Sequence, residues 1–568
     1  MPECSEVIYS NDYDDYIVSY YGNVDYVIDT FAPECYQLID SRLAVIYLKR
    51  DSIDSRGNHN TAGGFYVPQY YGLLDSTAIS SIGVDQVRRQ PSLELYGHNV
   101  IVGLIDTGID YRHKAFRNAD GTTRILSIWD QTLQENPPDG FLYGTEYTQT
   151  NINEALASQD PLSVVPQQDE IGHGTFLAGI AAGNIIDEEN FSGAAPLADI
   201  IMVKLKPAKQ NLKDFYFVGT DEPCYQENDI MLGIKYLIME AERARKPLVV
   251  MLGLGTNLGD HNGGGPLGEY LNDNGLRRSV AFVCAGGNEV NRGHHFTSNL
   301  MQPRQQEEIE LKVASGETGF TMQLWADTVN IFSVGIVSPS GEYSGKIPAR
   351  AEQTQIIPFI LERTTIYVSY QLVTAQQGAE MVMLRFQTPE EGVWRIRVFN
   401  ESGFPGIFNT WLPTEGFIQN DTIFLRANPN NTICEPANGR LVSTNATYNH
   451  ITDSLYIYSS RGFTSGGYAK PDITAPGVDI RGPYPGLEPD DFTYMTGSSV
   501  GAAFVAGVAA LLLEWGFGRG NDYNMTSRVV LNYIIRGAQK ENIVYPSAEW
   551  GWGILDAYGI FESLRLKG

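Results

Sequence analysis

The chain carries NVIVGLIDTGID at residues 99–110, a run of branched apolar residues that ends on an aspartate and a Thr-Gly turn. An unbroken Val, Ile and Leu run of this kind is typical of a parallel strand that is buried on both faces. Further buried-strand patterns lie at 198–205, 247–255 and 280–287. Helical patterns lie at 174–183 and 227–245. Because buried strands alternate with helices, the sequence predicts a parallel α/β sheet.

The rest of the 568-residue chain differs in pattern from this α/β part. Residues 1–75 are rich in Tyr and Asp and predict strands around a short helix, an α+β unit. Residues 301–430 contain many short β segments separated by turns rich in Gly, Pro, Asn and Ser, which predict an inserted antiparallel sandwich. The α/β core is therefore expected in two parts, 76–300 and 431–568.

Charge and hydropathy exclude some classes of function. The net charge of −27 would repel phosphates, so nucleic acid is not an expected partner. The N-terminus is acidic where a secretory signal would be basic, so we expect synthesis in the cytoplasm without a signal peptide. The longest apolar stretch, Val500–Leu513, is shorter than the roughly 20 residues that cross a bilayer and predicts a core helix, with no membrane span.

The cysteines are odd in number and show no CxxC spacing: Cys4, Cys35, Cys224, Cys284 and Cys434. This pattern favours free thiols in a reducing compartment over a disulfide framework or a zinc site. We therefore expect all of them to be free.

Three glycine-rich strings each place one reactive polar side chain in an apolar setting. They are LIDTGID at 104–110, GHGT at 172–175 and TGSSVGAAFVAG at 496–507. Asp106 follows a buried strand, at the edge where open parallel sheets bind ligands. His173 and Ser499 lie at the starts of predicted helices, and a helix N-terminus stabilises negative charge that forms beside a nucleophile. Together they supply a carboxylate, a general base and a nucleophile for acyl transfer.

The strings resemble those of the subtilisin-like serine proteases, which present their triad in the same Asp, His, Ser order. The third string follows the family form G-T-S-M-A-x-P-x-x-A-G, with Ser499 at the nucleophile. It departs from that form at Val500, Gly501 and Ala503, the last in place of the usual proline. The resemblance implies the subtilase fold and peptide-bond hydrolysis.

Two further strings resemble family elements that hold the substrate. CAGGNE at 284–289 is similar to A-A-G-N-E and implies an oxyanion hole made of the Asn288 side chain and the Ser499 backbone N–H. LGLG at 252–255 is similar to the strand that lines the specificity pocket. The implied substrate-binding residues are Leu252, Gly253, Leu254, Gly255, Ala285, Gly286 and Gly287.

The layout is similar to that of the Csp proteases of spore-forming clostridia, notably GGNEVNRGHHF at 286–296 and EEGVWRIRVFN at 390–400. This resemblance implies a prodomain at 1–75 that assists folding, is cut by the enzyme itself within 69–77 and stays bound without a covalent link. It implies a jelly roll for the inserted domain, and a cortex-lytic zymogen as the protein substrate during germination, with packaging into the spore. His294 and His295 are expected to be structural, not metal ligands.

Alternatives remain open at this point. The chain could be a general intracellular or secreted peptidase without a role in germination, or a pseudoprotease that acts as scaffold or receptor. The inserted domain could bind carbohydrate or peptide, although we expect Trp325, Trp394 and Trp411 to be sandwich core. No cofactor is required by serine chemistry; the acidic loops 187–190 and 221–228 could bind calcium but show no complete ligand set.

Overall fold

The computed structural model describes residues 4–20, 24–50, 65–73, 80–327, 329–351, 353–374, 378–486 and 491–565. The N-terminal unit contains α1 (Cys4–Tyr9), β1 (Tyr13–Ser19), α2 (Asp25–Phe31), β2 (Cys35–Leu38), β3 (Leu43–Lys49), β4 (Phe65–Tyr66) and β5 (Tyr70–Leu73). Its sheet is antiparallel and has the strand order β2-β3-β1-β4. β5 does not belong to this sheet, because it pairs with two strands of the core.

The first part of the core alternates strands and helices as the sequence predicts. Its elements are α3 (Val84–Arg89), β6 (Ile101–Asp106), β7 (Ile125–Asp130), β8 (Thr145–Thr148), α4 (Gln149–Ala157), α5 (His173–Ala182), β9 (Asp199–Lys204), α6 (Gln210–Tyr216), β10 (Tyr225–Gln226), α7 (Glu227–Ala244), β11 (Leu248–Leu252), β12 (Leu254–Gly255), α8 (Pro266–Asn274) and β13 (Val280–Ala285).

In the described part of the insertion that follows, the regular elements are strands. The inserted strands are β14 (His295–Thr297), β15 (Gln306–Val313), β16 (Gly319–Ala326), β17 (Phe332–Val337), β18 (Tyr343–Ile347), β19 (Thr354–Phe359), β20 (Thr364–Gln371), β21 (Met381–Gln387), β22 (Gly392–Asn400), β23 (Phe408–Trp411) and β24 (Ile423–Phe424). The second part of the core contains β25 (Val442–Asn449), β26 (Ser454–Leu455), β27 (Ile473–Pro476), β28 (Ile480–Pro483), β29 (Phe492–Met495), α9 (Ser498–Leu513), α10 (Ser527–Gly537) and α11 (Ala557–Leu564).

The core is built on one sheet in the order β26-β25-β13-β11-β6-β9-β7-β8, with β27 paired to β25. The strands from β25 through β7 run parallel, and β8 and β26 are antiparallel at the two edges. β6 lies in the middle, and its side chains alternate between two apolar clusters. Ile101 and Ile105 pack with α7 and α8, whereas Val102 and Leu104 pack with α5 and α9. Helices therefore cover both faces, which explains the unbroken apolar strands and confirms the α/β fold.

The inserted strands form two facing antiparallel sheets, β14-β23-β16-β21-β20-β19 and β18-β17-β22-β15-β24. Their inner side chains make a separate apolar cluster. Trp394 is fully buried in this cluster, as expected for a core residue. Trp411 is also buried but stacks on His261 and His295 outside the cluster, and Trp325 is half-buried outside it. The sandwich begins with β14, a few residues before the predicted boundary at 301.

Cys4 and Cys35 form a disulfide that joins the start of α1 to the start of β2, with their Cα atoms 5.5 Å apart. The expectation that all five cysteines are free is wrong for this pair. The two residues are 31 positions apart and carry no spacing signal; α1 packs against β2, and that tertiary contact brings them together. Cys224, Cys284 and Cys434 are free and buried. The cysteines therefore no longer indicate a reducing compartment.

One helical stretch, Ser498–Gly518, is long and apolar enough to be considered as a membrane span, but 89% of its most apolar window is buried inside the fold. This stretch contains α9, which packs against α5 and the central sheet. Burial on all sides accounts for its apolar composition.

Candidate active site

Asp106 is the last residue of β6, so its side chain leaves the sheet at the carboxyl edge. It is 1% exposed, and its Oδ1 accepts hydrogen bonds from the Thr107 N–H and from His173 Nδ1, both at 2.8 Å. A carboxylate in this position orients an imidazole ring and keeps its Nδ1 protonated.

His173 is the first residue of α5, and a buried carboxylate that the sequence analysis missed holds this helix end. Asp169 accepts hydrogen bonds from the N–H groups of Gly172 and Thr175 at 2.8 Å, and from the Thr107 hydroxyl at 2.7 Å. A Cβ on Gly174 would lie 2.2 Å from the Gly108 carbonyl oxygen, so this close approach requires glycine. The one available signal for Asp169 was its place just before the GHGT string.

Ser499 lies in the first turn of α9, and its Oγ is 3.1 Å from His173 Nε2. The structure therefore joins Ser499, His173 and Asp106 in one buried relay. α9 is continuous from Ser498 through Ala503, so the helix forms without the family's proline. Such a relay can move the serine proton to histidine during attack on a carbonyl carbon.

Ser498 connects the predicted oxyanion residue to α9. Its N–H donates to Asn288 Oδ1 at 3.1 Å, and its Oγ accepts the Gly287 N–H at 3.0 Å. With Oδ1 occupied, Nδ2 is the end of the Asn288 amide that can donate to a ligand. The Ser499 N–H is in the first helical turn, where no intrahelical acceptor exists. The two donors can therefore act together on a developing oxyanion.

Strand β12 of the core lies next to the relay and pairs with β5. Gly255 and Leu254 of β12 pair in antiparallel register with Gly72 and Leu73 of β5. A Cβ on the adjoining Gly253 would lie 3.1 Å from His173 Cε1, so this glycine leaves room beside the imidazole. These three predicted substrate-binding residues thus lie between the N-terminal segment and the relay.

The other predicted substrate-binding residues have backbone partners in the core. Leu252 lies inside the central sheet, opposite Ile105 and Cys284. Ala285, Gly286 and Gly287 are buried behind the start of α9; the carbonyls of the two glycines accept the N–H groups of Cys434 and Ser460. Their assignment to a substrate pocket stays a prediction.

The opposite side of the cleft was missed by sequence reasoning. Tyr225 and Gln226 of β10 pair with Tyr71 and Tyr70 of β5. Glu227, the next residue, is 1% exposed, and burial raises the pKa of its carboxyl to about 7. A strand of two residues, such as β10, is too short to show the alternation of apolar and polar residues that predicts a strand. The sequence therefore shows no signal for β10.

The residues considered for metal binding have other partners. His294 Nδ1 is 2.7 Å from Glu289 Oε2, whereas His295 faces the Asn428 carbonyl and the Asn409 side chain. In the acidic loop 187–190, Glu189 pairs with Arg481 and Lys114. Among the described residues, no three His, Cys, Asp or Glu side chains form a cluster that could hold a metal ion. Catalysis without a cofactor stays a prediction that rests on the serine chemistry.

A parallel α/β fold with a serine, histidine and aspartate relay at its carboxyl edge defines a serine peptidase class. The chain belongs to the subtilase family, whose peptidase S8 model matches residues 97–553. It is a subtilisin-like serine protease.

Particular relatives cover different shares of the chain. The solved structure of the CspB protease of Clostridium perfringens is similar to this one, with a TM-score of 0.74 and 31% sequence identity. The match covers 85% of this chain and 96% of the CspB chain. The C5a peptidase of Streptococcus pyogenes is 22% identical over 449 residues, 73% of this chain and 34% of the relative. The chain thus spans about a third of the length of the C5a peptidases it matches.

Proposed function

We propose that the chain is an endopeptidase that cuts its own N-terminal unit and afterwards a protein zymogen. The observation that carries this proposal is the position of β5, which lies between β10 and β12 and ends at Leu73, beside the relay. A polypeptide paired with an edge strand on each side is bound through its backbone, as an extended protease substrate is. The N-terminal segment therefore occupies the place of a substrate.

The relay performs the reaction in two stages. His173 Nε2 takes the proton of Ser499 Oγ as this oxygen attacks the scissile carbonyl, while Asn288 and the Ser499 N–H stabilise the oxyanion. His173 then donates its proton to the leaving amine. Water, activated by the same imidazole, hydrolyses the acyl-enzyme and frees Ser499.

The register of β5 selects one bond within the predicted interval 69–77. Leu73 is opposite Leu254, so a bound chain in the same register has its next residue opposite Gly253, beside the imidazole. We therefore expect cleavage between Leu74 and Asp75. Residues 74–77 lie outside the described part of the structure.

Retention of the cut unit is supported by its contacts with the core. Val7 and Ile17 pack in the apolar cluster that also contains α7. Asp15, buried at this interface, pairs with Lys209 of the core and accepts a hydrogen bond from Gln226 Nε2 at 3.2 Å. Separation would expose Val7, Ile17 and the apolar side chains that they contact to water, so it is disfavoured. We propose that the cut unit stays in place and blocks the cleft until it is displaced.

The substrate after processing is proposed from the resemblance to the Csp proteases, supported by the likeness to CspB over most of both chains. On that basis the substrate is a cortex-lytic zymogen and the inserted sandwich a jelly roll. The enzyme would be made in the cytoplasm and packaged into the spore. A general peptidase would share the fold and the relay, and only the substrate separates the two functions.

The test is to express the full chain and to measure the mass of the released N-terminal fragment. We expect a fragment that ends at Leu74, and a purified cortex-lytic zymogen that is clipped at one position by the processed protein. A cut more than one residue away would contradict the register argument. An intact zymogen beside a processed enzyme would favour the general peptidase.

Replacing Asn288 by alanine is expected to slow self-cleavage about 10²–10³-fold, because one of two oxyanion donors is lost. A time course of fragment release after cell-free synthesis measures the rate. The control is Asn291→Ala, an exposed asparagine in the same segment. Equal rates for the two variants would show that the Asn288 amide does not act on the transition state.

A further inference from the structure

Gln69, just before β5, is held by the core through its backbone. Its N–H donates to Glu227 Oε2 at 3.1 Å, and its carbonyl accepts the Glu227 N–H at 2.9 Å. The second carboxylate oxygen of Glu227 accepts the Leu267 N–H at 3.1 Å, so the side chain is fixed on both sides. Glu227 therefore extends the pairing of β5 with β10 by one more residue.

The side chain of Gln69 lies over Gly259 and beside a pair of buried carboxyl groups. A Cβ on Gly259 would be 3.4 Å from Gln69 Nε2 and 3.1 Å from Glu435 Cγ. Glu435 lies beside Asp260, and both residues are less than a tenth exposed. The terminal amide of Gln69 thus lies near the Glu435 side chain, across Gly259.

This carboxyl pair is held by the backbone of its own loop. Glu435 Oε1 accepts the Gly263 N–H at 3.0 Å, and Asp260 Oδ1 accepts the Asn262 N–H at 2.9 Å. Burial raises the pKa of both carboxyl groups, that of Glu435 furthest because Asp260 lies beside it. Two adjacent carboxyl groups disfavour ionising together, so the pair favours holding a proton.

We propose that Glu227, Gly259 and the Asp260–Glu435 pair form a distal subsite that selects a carboxamide side chain, glutamine above all, in the polypeptide that Ser499 cleaves. The proposal rests on the proposed function and adds a substrate feature, a glutamine four residues before the position of Leu73. An amide donates hydrogen bonds to the pair and adds no charge. A carboxylate of the same shape brings a third acidic group beside two buried carboxyl groups and is rejected.

The test uses self-cleavage of the full chain, followed over time after cell-free synthesis. Gln69→Glu is expected to slow fragment release about tenfold or more, and Gln69→Ala about threefold. The matched control is Gln86→Glu, which adds the same charge at an exposed position of α3 and should leave the rate unchanged. Equal rates for Gln69→Glu and Gln86→Glu would overturn the proposal.

A second substitution separates recognition from folding. In a Glu435→Gln background, the new amide at position 435 can donate a hydrogen bond to the new carboxylate at position 69. The loss of cleavage rate caused by Gln69→Glu should then shrink to within about threefold. A defect of unchanged size would overturn the subsite. In a Ser499→Ala background, which is not cut, the variants at positions 69 and 435 should unfold at the same temperature as their parent chains. If Gln69→Glu lowers the unfolding temperature in proportion to its loss of rate, the loss arises from weaker docking of the N-terminal unit. A wild-type chain that is never cut would instead remove the proposed function.

Discussion

Replacing Ser499 by alanine is expected to leave the chain at full length and to lower its rate of peptide hydrolysis about 10⁶-fold. The hydroxyl is the one nucleophilic atom within hydrogen-bond reach of His173 Nε2, at 3.1 Å, among the residues that the structure describes. Without it neither the attack nor the acyl-enzyme can form. Mass spectrometry of the purified protein should show one species of full mass, where the wild type shows two.

The control for this substitution is Ser443→Ala, which removes a buried serine hydroxyl on β25, outside the relay. That variant should process like the wild type. Cleavage of the Ser499→Ala chain at the wild-type rate would show that another protease or another nucleophile makes the cut. A wild-type chain that stays intact beside it would favour the pseudoprotease alternative.

Replacing Asp106 by asparagine is expected to lower the cleavage rate about 10⁴-fold with the fold preserved. The Asp106 carboxylate accepts from His173 Nδ1 at 2.8 Å and fixes the tautomer in which Nε2 can act as base. An amide of nearly equal volume can donate to Nδ1 instead, which places the imidazole proton on Nε2 and removes the base. The rate of fragment release measures this loss.

Asp110→Asn is the matched control for Asp106→Asn. Asp110 is also buried, lies four residues further along the chain and pairs with Arg112 at 2.8 Å, away from the imidazole. Its replacement should change the rate only a few-fold, with any larger loss accompanied by a lower unfolding temperature. Equal losses in the two variants, with equal destabilisation, would contradict a tautomer role for Asp106.

Much of the core was predictable because its signals are local. The apolar runs around Ile101–Asp106 and Leu248–Leu252 can be buried only as central parallel strands, and both lie there. The apolar stretch from Val500 forms a core helix, since its small residues allow close packing on α5. The order of the Asp, His and Ser strings indicated a relay, and the structure brings the three side chains within hydrogen-bond distance.

Other features depend on residues that are distant along the chain. Cys4 and Cys35 meet only when α1 packs on β2. β10 has two residues and pairs with β5, which precedes it by more than 150 positions. No local sequence pattern predicts this pairing. Asp169 accepts the Thr107 hydroxyl, 62 positions away, and Glu227 accepts the Leu267 N–H, 40 positions away. Their environments therefore exist only in the folded chain.

The sequence by itself determined the class of the core and pointed to the three side chains that the structure brings together, because burial and helix starts act within a few residues along the chain. The tertiary structure alone decided that β5 lies between β10 and β12, and that the Gln69 amide lies beside a buried carboxyl pair. These contacts join three distant regions of the chain, and their geometry follows from how sheets and helices pack against each other. The composition and residue spacing of a single segment do not show how that segment packs against distant ones.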